Sequence, residues 1–232
     1  MGEDRIRIAV AAFDGVTPLD AVGPLDVLAR LPAVTVVLAS RGGRPVRAEF
    51  GLELGPGAAL EEVAADVLCV PGGPGVNRFL ADAAAVDLLA RIGGQARWVA
   101  SVCTGALLLG AAGLLRGYRA TTHWLSLDLL PVVEAIPVEE RVVVDRNRIT
   151  SAGVTAGIDL ALRLAAELSG VEAARRVGLL VEYDPAPPFG AGSTRTAGPG
   201  EAAALREERT ALQLERRRLL AAAAERFGPA PG

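Results

Sequence analysis

The sequence predicts an α/β domain with a doubly wound, mostly parallel sheet and helices on both faces. Short, continuous apolar segments are typical of strands that are buried on both sides. These segments alternate with stretches whose apolar residues recur at helical spacing. A chain of 232 residues that is 51% hydrophobic can bury one large core. We expect the domain to span residues 4–190, followed over residues 191–232 by an extended linker and a C-terminal helix that is not an independent domain.

The predicted elements follow one another in the order that such a sheet requires. Apolar spacing predicts a helix over residues 20–31, with Pro24 in its first turn, where a missing N–H costs nothing. Thr155 is the expected cap of a helix over residues 155–168. The remaining expected elements are strands at residues 6–13, 34–39, 66–70 and 97–102, two short strands within 45–54, a helix at 82–92, and strands at 142–145 and 148–151 around a turn.

The last part of the chain has a different composition. Residues 185–199 are rich in Pro, Gly, Ser and Thr, which is typical of a linker or extended arm. Residues 201–227 return to helix-forming composition, and we expect no turn between paired helices there. The block Arg216-Arg217-Arg218 is interpreted as a solvated helix face rather than a nucleic-acid contact. We expect the apolar stripe of this predicted helix to pack on the domain or on a second subunit. The stripe comprises Leu205, Leu212, Leu219 and Leu220.

Composition excludes several classes of function. A net charge of -3 gives no reason to expect a nucleic-acid surface. All 24 basic residues are arginine, which excludes Schiff-base lysine chemistry and a P-loop lysine. Two cysteines and one histidine cannot form the usual four-ligand zinc site, so we expect no metal. No signal peptide or membrane span is recognisable, which predicts a cytoplasmic protein with no membrane partner and both thiols reduced.

The most informative segment is Trp98-Val-Ala-Ser-Val-Cys103-Thr104-Gly105 and the Ala/Leu run that follows it. An apolar strand ends at Cys103, and a helix begins directly behind it. The sulfur then faces the positive end of a helix and its unpaired N–H groups, which favours the reactive thiolate. This is the logic of the nucleophile elbow, with sulfur in place of oxygen. The alternative is a buried, inert core cysteine, the interpretation we give to Cys69.

Three segments at the carboxyl ends of predicted strands point to a common site. They are residues 17–20, residues 71–75 and Cys103. In open α/β sheets, sites form at these strand ends, so the fold brings together segments that are far apart in sequence.

Asp20 is the candidate proton-transfer partner of Cys103. A carboxylate beside a thiolate would repel it, so we expect one shared proton, with Asp20 largely protonated. The alternative is a first-turn carboxylate that satisfies backbone donors. The N–H groups of Gly72, Gly73 and Thr104 are candidates for binding developing negative charge, although the glycines could instead form only a tight turn.

His123 is the only histidine, so any Cys-His dyad must use it. One helix plus one strand separate it from Cys103, which would return it to the rim of the site. Gly153 and Val154 are further candidates for the rim. Trp124, next to His123, favours a packing role over direct proton transfer.

The order and spacing of these motifs are similar to those of a known family. Val70-Pro-Gly-Gly73, Ser101-Val-Cys-Thr-Gly105 and Ala120-Thr-Thr-His123 resemble the ThiJ/PfpI superfamily. That superfamily implies a flavodoxin-like core shared with class I glutamine amidotransferases. Leu19-Asp-Ala-Val-Gly-Pro-Leu-Asp-Val27 resembles the segment that supplies the family's acidic residue.

The resemblance narrows to the isocyanide (isonitrile) hydratase branch. Thr104 stands where PfpI-type proteases carry histidine, so the protease dyad is missing. Thr150-Ser-Ala-Gly-Val-Thr-Ala-Gly-Ile-Asp159 and Glu182-Tyr-Asp-Pro-Ala-Pro-Pro-Phe189 look like that branch, although Ser151-Ala152 stands where more glycine would be expected.

The resemblance implies a hydro-lyase that converts a small-molecule isocyanide to an N-substituted formamide. Cys103 would be the nucleophile and Asp20 the acid/base, Thr104 would position the reactive groups, and Gly73 with the Thr104 N–H would bind charge. It also implies a homodimer with no metal or organic cofactor. The alternatives are a glyoxalase- or deglycase-like enzyme of the same superfamily and a ligand- or redox-sensing regulatory protein.

Overall fold

The computed structural model describes residues 5–227, and its main sheet agrees with the predicted fold class. The strands are β1 (Ile6–Ala12), β2 (Val34–Ser40), β3 (Val46–Arg47), β4 (Glu53–Leu54), β5 (Ala58–Ala59), β6 (Val67–Val70), β7 (Trp98–Val102), β8 (Arg119–Ala120), β9 (Ile136–Pro137), β10 (Val142–Asp145) and β11 (Arg148–Ser151). The helices are α1 (Pro18–Leu28), α2 (Val76–Ala81), α3 (Ala83–Gln95), α4 (Gly105–Ala111), α5 (Ala156–Ser169), α6 (Val171–Leu180), α7 (Pro199–Glu208) and α8 (Thr210–Ala224). A 3-10 segment spans Trp124–Val133.

The seven-stranded sheet has the order β10-β11-β7-β6-β1-β2-β5. Every neighbouring pair is parallel except β10 and β11, which form a hairpin. Because β1, β6 and β7 are adjacent and parallel, their carboxyl ends lie side by side. The fold therefore brings the loops after these strands to one edge, as the sequence predicts.

Helices cover the sheet in two groups. Helices α1, α5 and α6 pack against one another, while α2, α3, α4 and α8 form the second group. The central strands β1, β6 and β7 are almost wholly buried between them, which explains their continuous apolar sequence.

Two details of the predicted helices are wrong. Helix α1 begins at Pro18, so Pro18 takes the first-turn position and Pro24 lies inside the helix. Thr17 precedes the helix. Helix α1 begins two residues earlier than the apolar spacing predicts, because proline suits a first helical position. Thr155 does precede α5, but its side chain makes no capping bond. Its hydroxyl instead lies 3.4 Å from a guanidinium nitrogen of Arg141.

The C-terminal region also differs from the expectation of one helix. The chain forms α7 and α8, which are separated at Arg209. The Thr210 hydroxyl donates to the Arg206 carbonyl, and such side-chain bonds compete with the backbone bonds of a helix. Leu220 of the predicted apolar stripe is fully buried in the core, whereas Leu205 is exposed. Helix α8 packs on α2, α4 and the 3-10 segment.

Candidate active site

Cys103 lies in a strained turn between β7 and α4. Its φ of 55° is left-handed, an uncommon conformation for a residue other than glycine. The Cys103 N–H donates to the carbonyls of Ser151 and Ala152 at 3.2 and 3.0 Å, and the Thr122 hydroxyl donates to the Cys103 carbonyl at 2.8 Å. These bonds hold the strained turn and fix the direction of the sulfur. The predicted elbow therefore has the expected backbone geometry.

Glycine at position 105 allows the elbow to approach the neighbouring strand. A Cβ added to Gly105 would lie 2.0 Å from the carbonyl oxygen of Val70. No side chain fits there, so α4 can begin directly against the end of β6.

Asp20 points into the site rather than capping its own helix. It is fully buried, and its Oδ2 accepts a 3.0 Å bond from the Gly72 N–H. The Cys103 thiol lies close enough to this carboxyl to lower its pKa, and Oδ1 has no hydrogen-bond partner among the described residues. Burial raises the pKa of Asp20 to about 7, against the lowering effect of the bonds from Gly72 and Cys103. The carboxyl therefore carries a proton for a substantial part of the time at neutral pH.

The expectation that the elbow lowers the pKa of Cys103 is wrong. The thiol is 5% exposed, and burial together with the charge of Asp20 raises its pKa. The N–H and hydroxyl of Thr104 bond to the sulfur and lower the pKa, as does the charge of Arg216, but these effects are smaller. Since both pKa values are raised, the Cys103–Asp20 pair retains a proton near neutral pH. The raised pKa of Asp20 agrees with the predicted protonated carboxyl, whereas the raised pKa of Cys103 does not agree with an ionised sulfur in the resting protein.

Gly72 and Gly73 have different hydrogen-bond partners from those predicted. Their N–H groups were expected to bind developing negative charge. The Gly72 N–H instead donates to Asp20, and the Gly73 N–H donates to the Thr104 hydroxyl at 3.1 Å. A Cβ on Gly72 would lie 2.6 Å from the Thr104 nitrogen. The two glycines thus allow β6 to approach α4 and hold Asp20 and Thr104 in place.

His123, Gly153 and Val154 line one cavity of about 270 Å³. Thr122 and Ala152, both bonded to the backbone of Cys103, also line it, so the cavity adjoins the elbow. Residues 192–195 of the C-terminal arm form another part of its wall. The three candidate rim residues are therefore brought together, with a space of small-molecule size beside them.

His123 is neutral in this environment. Its Nδ1 accepts a 3.3 Å bond from the Leu125 N–H, which places the ring proton on Nε2. Burial lowers the pKa of His123 to about 4, and the charges of Arg216 and Arg209 add to this effect. The ring therefore cannot supply an imidazolium proton at pH 7, in agreement with the packing interpretation.

Sequence reasoning missed two residues of this site. Thr122 holds the elbow through its hydroxyl, but a threonine within Ala120-Thr-Thr-His123 carries no signal that distinguishes it from Thr121. Arg216 was interpreted as part of a solvated face and is instead 3% exposed. Only the packing of α8 on the domain reveals its position.

The fold and site together define a class of protein: a doubly wound α/β domain with a cysteine at a strand-to-helix elbow and a buried carboxyl beside it. The chain belongs to the DJ-1/PfpI family, whose sequence model matches residues 6–167. This confirms the resemblance seen in the motifs.

Individual known proteins are also similar to the chain. The chain is 52% identical over 193 residues to the isonitrile hydratase of Pseudomonas putida, covering 83% of this chain and 85% of that protein. A ThiJ/PfpI family protein from Pseudomonas syringae superposes with a TM-score of 0.88 at 40% identity, covering 95% of this chain and 91% of that one. Oxidized Toxoplasma gondii DJ-1 gives a TM-score of 0.70 at 27% identity, covering 78% of this chain and 100% of that one.

Within residues 5–227, no helix has the length and apolar character needed to cross a bilayer. In the same range, no three His, Cys, Asp or Glu side chains lie together in a way that suits a metal ion.

Proposed function

We propose that this chain is an isocyanide hydratase that converts isocyanides to N-substituted formamides. The observation that carries the proposal is the buried Asp20 carboxyl beside the buried Cys103 thiol at the elbow, where each group shifts the pKa of the other. It provides a nucleophile and an acid in contact, which addition of H–S across an isocyanide carbon requires. The extensive similarity to the isonitrile hydratase of Pseudomonas putida supports the same activity.

The first step forms a covalent thioimidate. As the isocyanide R–N≡C binds, the thiol proton of Cys103 passes to the Asp20 carboxylate and leaves the electron pair on the sulfur. The sulfur attacks the terminal carbon while Asp20 transfers its proton to that carbon, which gives R–N=CH–S–Cys103 and the Asp20 carboxylate. Immediate protonation quenches the negative charge that would otherwise develop on carbon. A raised pKa suits Asp20 for this step because it holds a proton that it can readily transfer.

The second step adds water and releases the sulfur. The Asp20 carboxylate takes a proton from water, whose oxygen bonds to the thioimidate carbon, and this proton passes to nitrogen. The tetrahedral intermediate R–NH–CH(OH)–S–Cys103 then collapses. The C–S bond breaks, the hydroxyl proton returns to the pair, and the formamide R–NH–CHO leaves. The reaction consumes one water and needs only the side chains of the site.

Thr104 supports both steps from the start of α4. Its N–H and hydroxyl bond to the sulfur, which stabilises the leaving thiolate when the C–S bond breaks. The bond from the Gly73 N–H fixes the Thr104 hydroxyl. The 270 Å³ cavity beside Thr122 and Gly153 is the proposed space for the R group.

The proposal includes a homodimer in the cytoplasm. Leu19, Val22, Phe50 and Leu52 are all exposed apolar side chains. A bond from the Thr17 hydroxyl to Glu49 ties the loop that carries Phe50 to the start of α1, so both elements offer exposed apolar side chains to a second copy. Both cysteines are free, as a reducing compartment requires.

The direct test is conversion of an alkyl isocyanide to its formamide by the wild type, Cys103→Ala and Cys69→Ala. We expect Cys103→Ala to lose activity by about 10⁴-fold or more, since the nucleophile is gone. Cys69→Ala, a matched control, should stay within about threefold of the wild type because Cys69 is sealed in β6. Equal rates for wild type and Cys103→Ala would refute the mechanism. Turnover of methylglyoxal without turnover of isocyanide would indicate the glyoxalase-like alternative.

A further inference from the structure

Three consecutive arginines on α8 lie in three different environments. Arg217 pairs with Asp128 and Arg218 pairs with Glu215, and both arginines are largely exposed. Arg216 is 3% exposed. One helix therefore carries a buried cation flanked by two solvated cations of the same type.

The hydrogen-bond partners of Arg216 are neutral. Its Nε donates to Asn77 Oδ1 at 2.9 Å, and its Nη1 lies 3.3 Å from the Ser126 hydroxyl. The Ser126 hydroxyl in turn donates to Gln213. Among the described residues, no carboxylate forms an ion pair with Arg216. Burying a cation without a counterion is unfavourable, so the positive charge of Arg216 is available to stabilise a negative charge that forms nearby.

The contacts of Arg216 place it between the elements that form the candidate site. Asn77 lies on α2, which directly follows the turn that carries Gly72 and Gly73. Ser126 follows His123, which lines the cavity. Helix α8 also packs on α4, the helix that begins behind Cys103.

Few other charges lie on the elements around Arg216. Helix α4 has no ionisable side chain, and the 3-10 segment carries only Asp128, already paired with Arg217. The charge of Arg216 lowers the pKa of both Cys103 and His123, in agreement with the packing of α8 on α4. Asp20 also acts on Cys103, Glu49 acts on Asp20, and Arg209 acts on His123. The other ionisable groups on neighbouring elements are Arg78 on α2 and the exposed Glu201, Arg206, Glu207 and Glu208 on α7.

We propose that Arg216 is a positioning residue for the Cys103 reaction: a permanent buried charge, supplied by the C-terminal helix, that stabilises the sulfur whenever it is negative. Arg216 has no counterion among the described residues of the resting protein. Its counterion is then the thiolate, which forms during attack and again when the C–S bond breaks. The inference rests on Cys103 being the nucleophile of the proposed function.

Arg216 lies beyond the residues that the DJ-1/PfpI family model matches, since that model ends at residue 167. The C-terminal helices thus add a buried charge from outside the matched residues.

The test measures the rate at which iodoacetamide alkylates Cys103 at a series of pH values. This rate does not depend on isocyanide turnover. The variants are Arg216→Gln, Arg216→Met and Arg216→Lys, with Arg217→Gln as the matched control from the neighbouring exposed position. We expect Arg216→Gln and Arg216→Met to shift the pH profile upward by about one unit, an approximately tenfold slower alkylation at a fixed pH below the midpoint. Arg216→Lys should stay near the wild type because it keeps the charge, and Arg217→Gln should change the rate less than about twofold.

An unchanged profile in folded Arg216→Gln would overturn the proposal, as would an equal shift in Arg217→Gln. If the Arg216→Met protein does not fold, Asn77→Ala provides a second measurement. It removes the partner of the guanidinium Nε but keeps the charge, so the profile should shift by less than in Arg216→Gln. A shifted profile in a protein that fails to hydrate isocyanides would uphold the role of Arg216 and refute only the proposed substrate.

Discussion

Cys69 and Cys103 are the two cysteines of this chain. Cys69 lies in β6 and Cys103 directly follows the neighbouring parallel strand β7, yet we assign them opposite roles, inert and reactive. Cys69 is fully buried inside β6, where burial raises its pKa to about 12. Cys103 follows β7 and is only slightly exposed, and burial raises its pKa as well. The charge of Asp20 raises the pKa of both thiols. Neither burial nor a low pKa therefore distinguishes the reactive cysteine from the inert one.

The hydrogen-bond partners distinguish them. Cys103 has the Asp20 carboxyl beside it, the Thr104 N–H and hydroxyl at its sulfur, and a strained turn that directs it. Cys69 lies within a regular strand, where its neighbour in β7 is Ala100. From this comparison we infer that the proposed reactivity of Cys103 depends on a proton-transfer partner. A thiol that is already ionised is not needed.

Removing that partner is expected to have the largest effect on Cys103. Asp20→Asn keeps the shape of the side chain but cannot shuttle a proton, so we expect kcat/KM for isocyanide hydration to fall about 10³-fold. Asp26→Asn is the matched control on the same helix, since Asp26 is exposed and pairs with Arg30 at 2.9 Å. It should retain activity within about twofold. Full activity in Asp20→Asn would show that Asp20 is not the acid of the mechanism. The two cysteines would then differ only in how accessible their sulfur atoms are to substrate.

The elements and the elbow were predictable because local signals in the sequence agree with the fold. Strands β1, β2, β6 and β7 are mostly apolar. An apolar strand followed by a cysteine, Thr-Gly and an Ala/Leu run predicts the elbow within one segment. The strands β5, β8 and β9 have two residues each, too few to show periodicity. Their positions are set by pairing with distant segments.

The electrostatics of the site were less predictable because they depend on burial. The helix-terminus argument predicted a lowered thiol pKa, yet desolvation of Cys103 is the larger effect. The assignment of Arg216 to a solvated face was wrong for a related reason. Its environment is set by Asn77 and Ser126, which are 139 and 90 residues away in sequence. No pattern within Arg216-Arg217-Arg218 indicates which arginine faces inward.

The raised pKa of Asp20 also predicts how stability depends on pH. The folded protein binds this proton with a pKa of about 7, against 3.8 for the ordinary side chain. Between these values the folded state holds more protons than the unfolded state, so the free energy of unfolding falls as pH rises from about 4 to 7. Relative to Asp20→Asn, which has no such proton, the wild type should lose about 4 kcal/mol between pH 4 and pH 8. Urea unfolding of both proteins at a series of pH values measures this difference. Parallel curves would show that Asp20 is ionised in the folded protein, and the shared proton would be refuted.

The smallest of these effects concerns the contact that directs Thr104 toward the sulfur of Cys103. A Cβ on Gly72 would lie 2.5 Å from the Thr104 hydroxyl oxygen and 2.6 Å from its nitrogen. Gly72→Ala must therefore push α4 away from β6 and loosen the bonds from Thr104 to the sulfur. We expect kcat/KM to fall about 10²-fold, the scale of losing one donor to a developing charge. Stability should fall by about 1–3 kcal/mol because of overpacking.

Gly94→Ala is the matched control for this substitution. Gly94 lies within α3, and an added Cβ meets no atom within 4 Å. The variant should keep full activity and gain about 0.5–1 kcal/mol, since alanine favours a helix interior over glycine. Steady-state kinetics and urea unfolding of both variants separate the two effects. If Gly72→Ala lost stability but kept activity within about threefold, Thr104 would only pack against the elbow, and Cys103 would owe its reactivity to Asp20 without help from the start of α4.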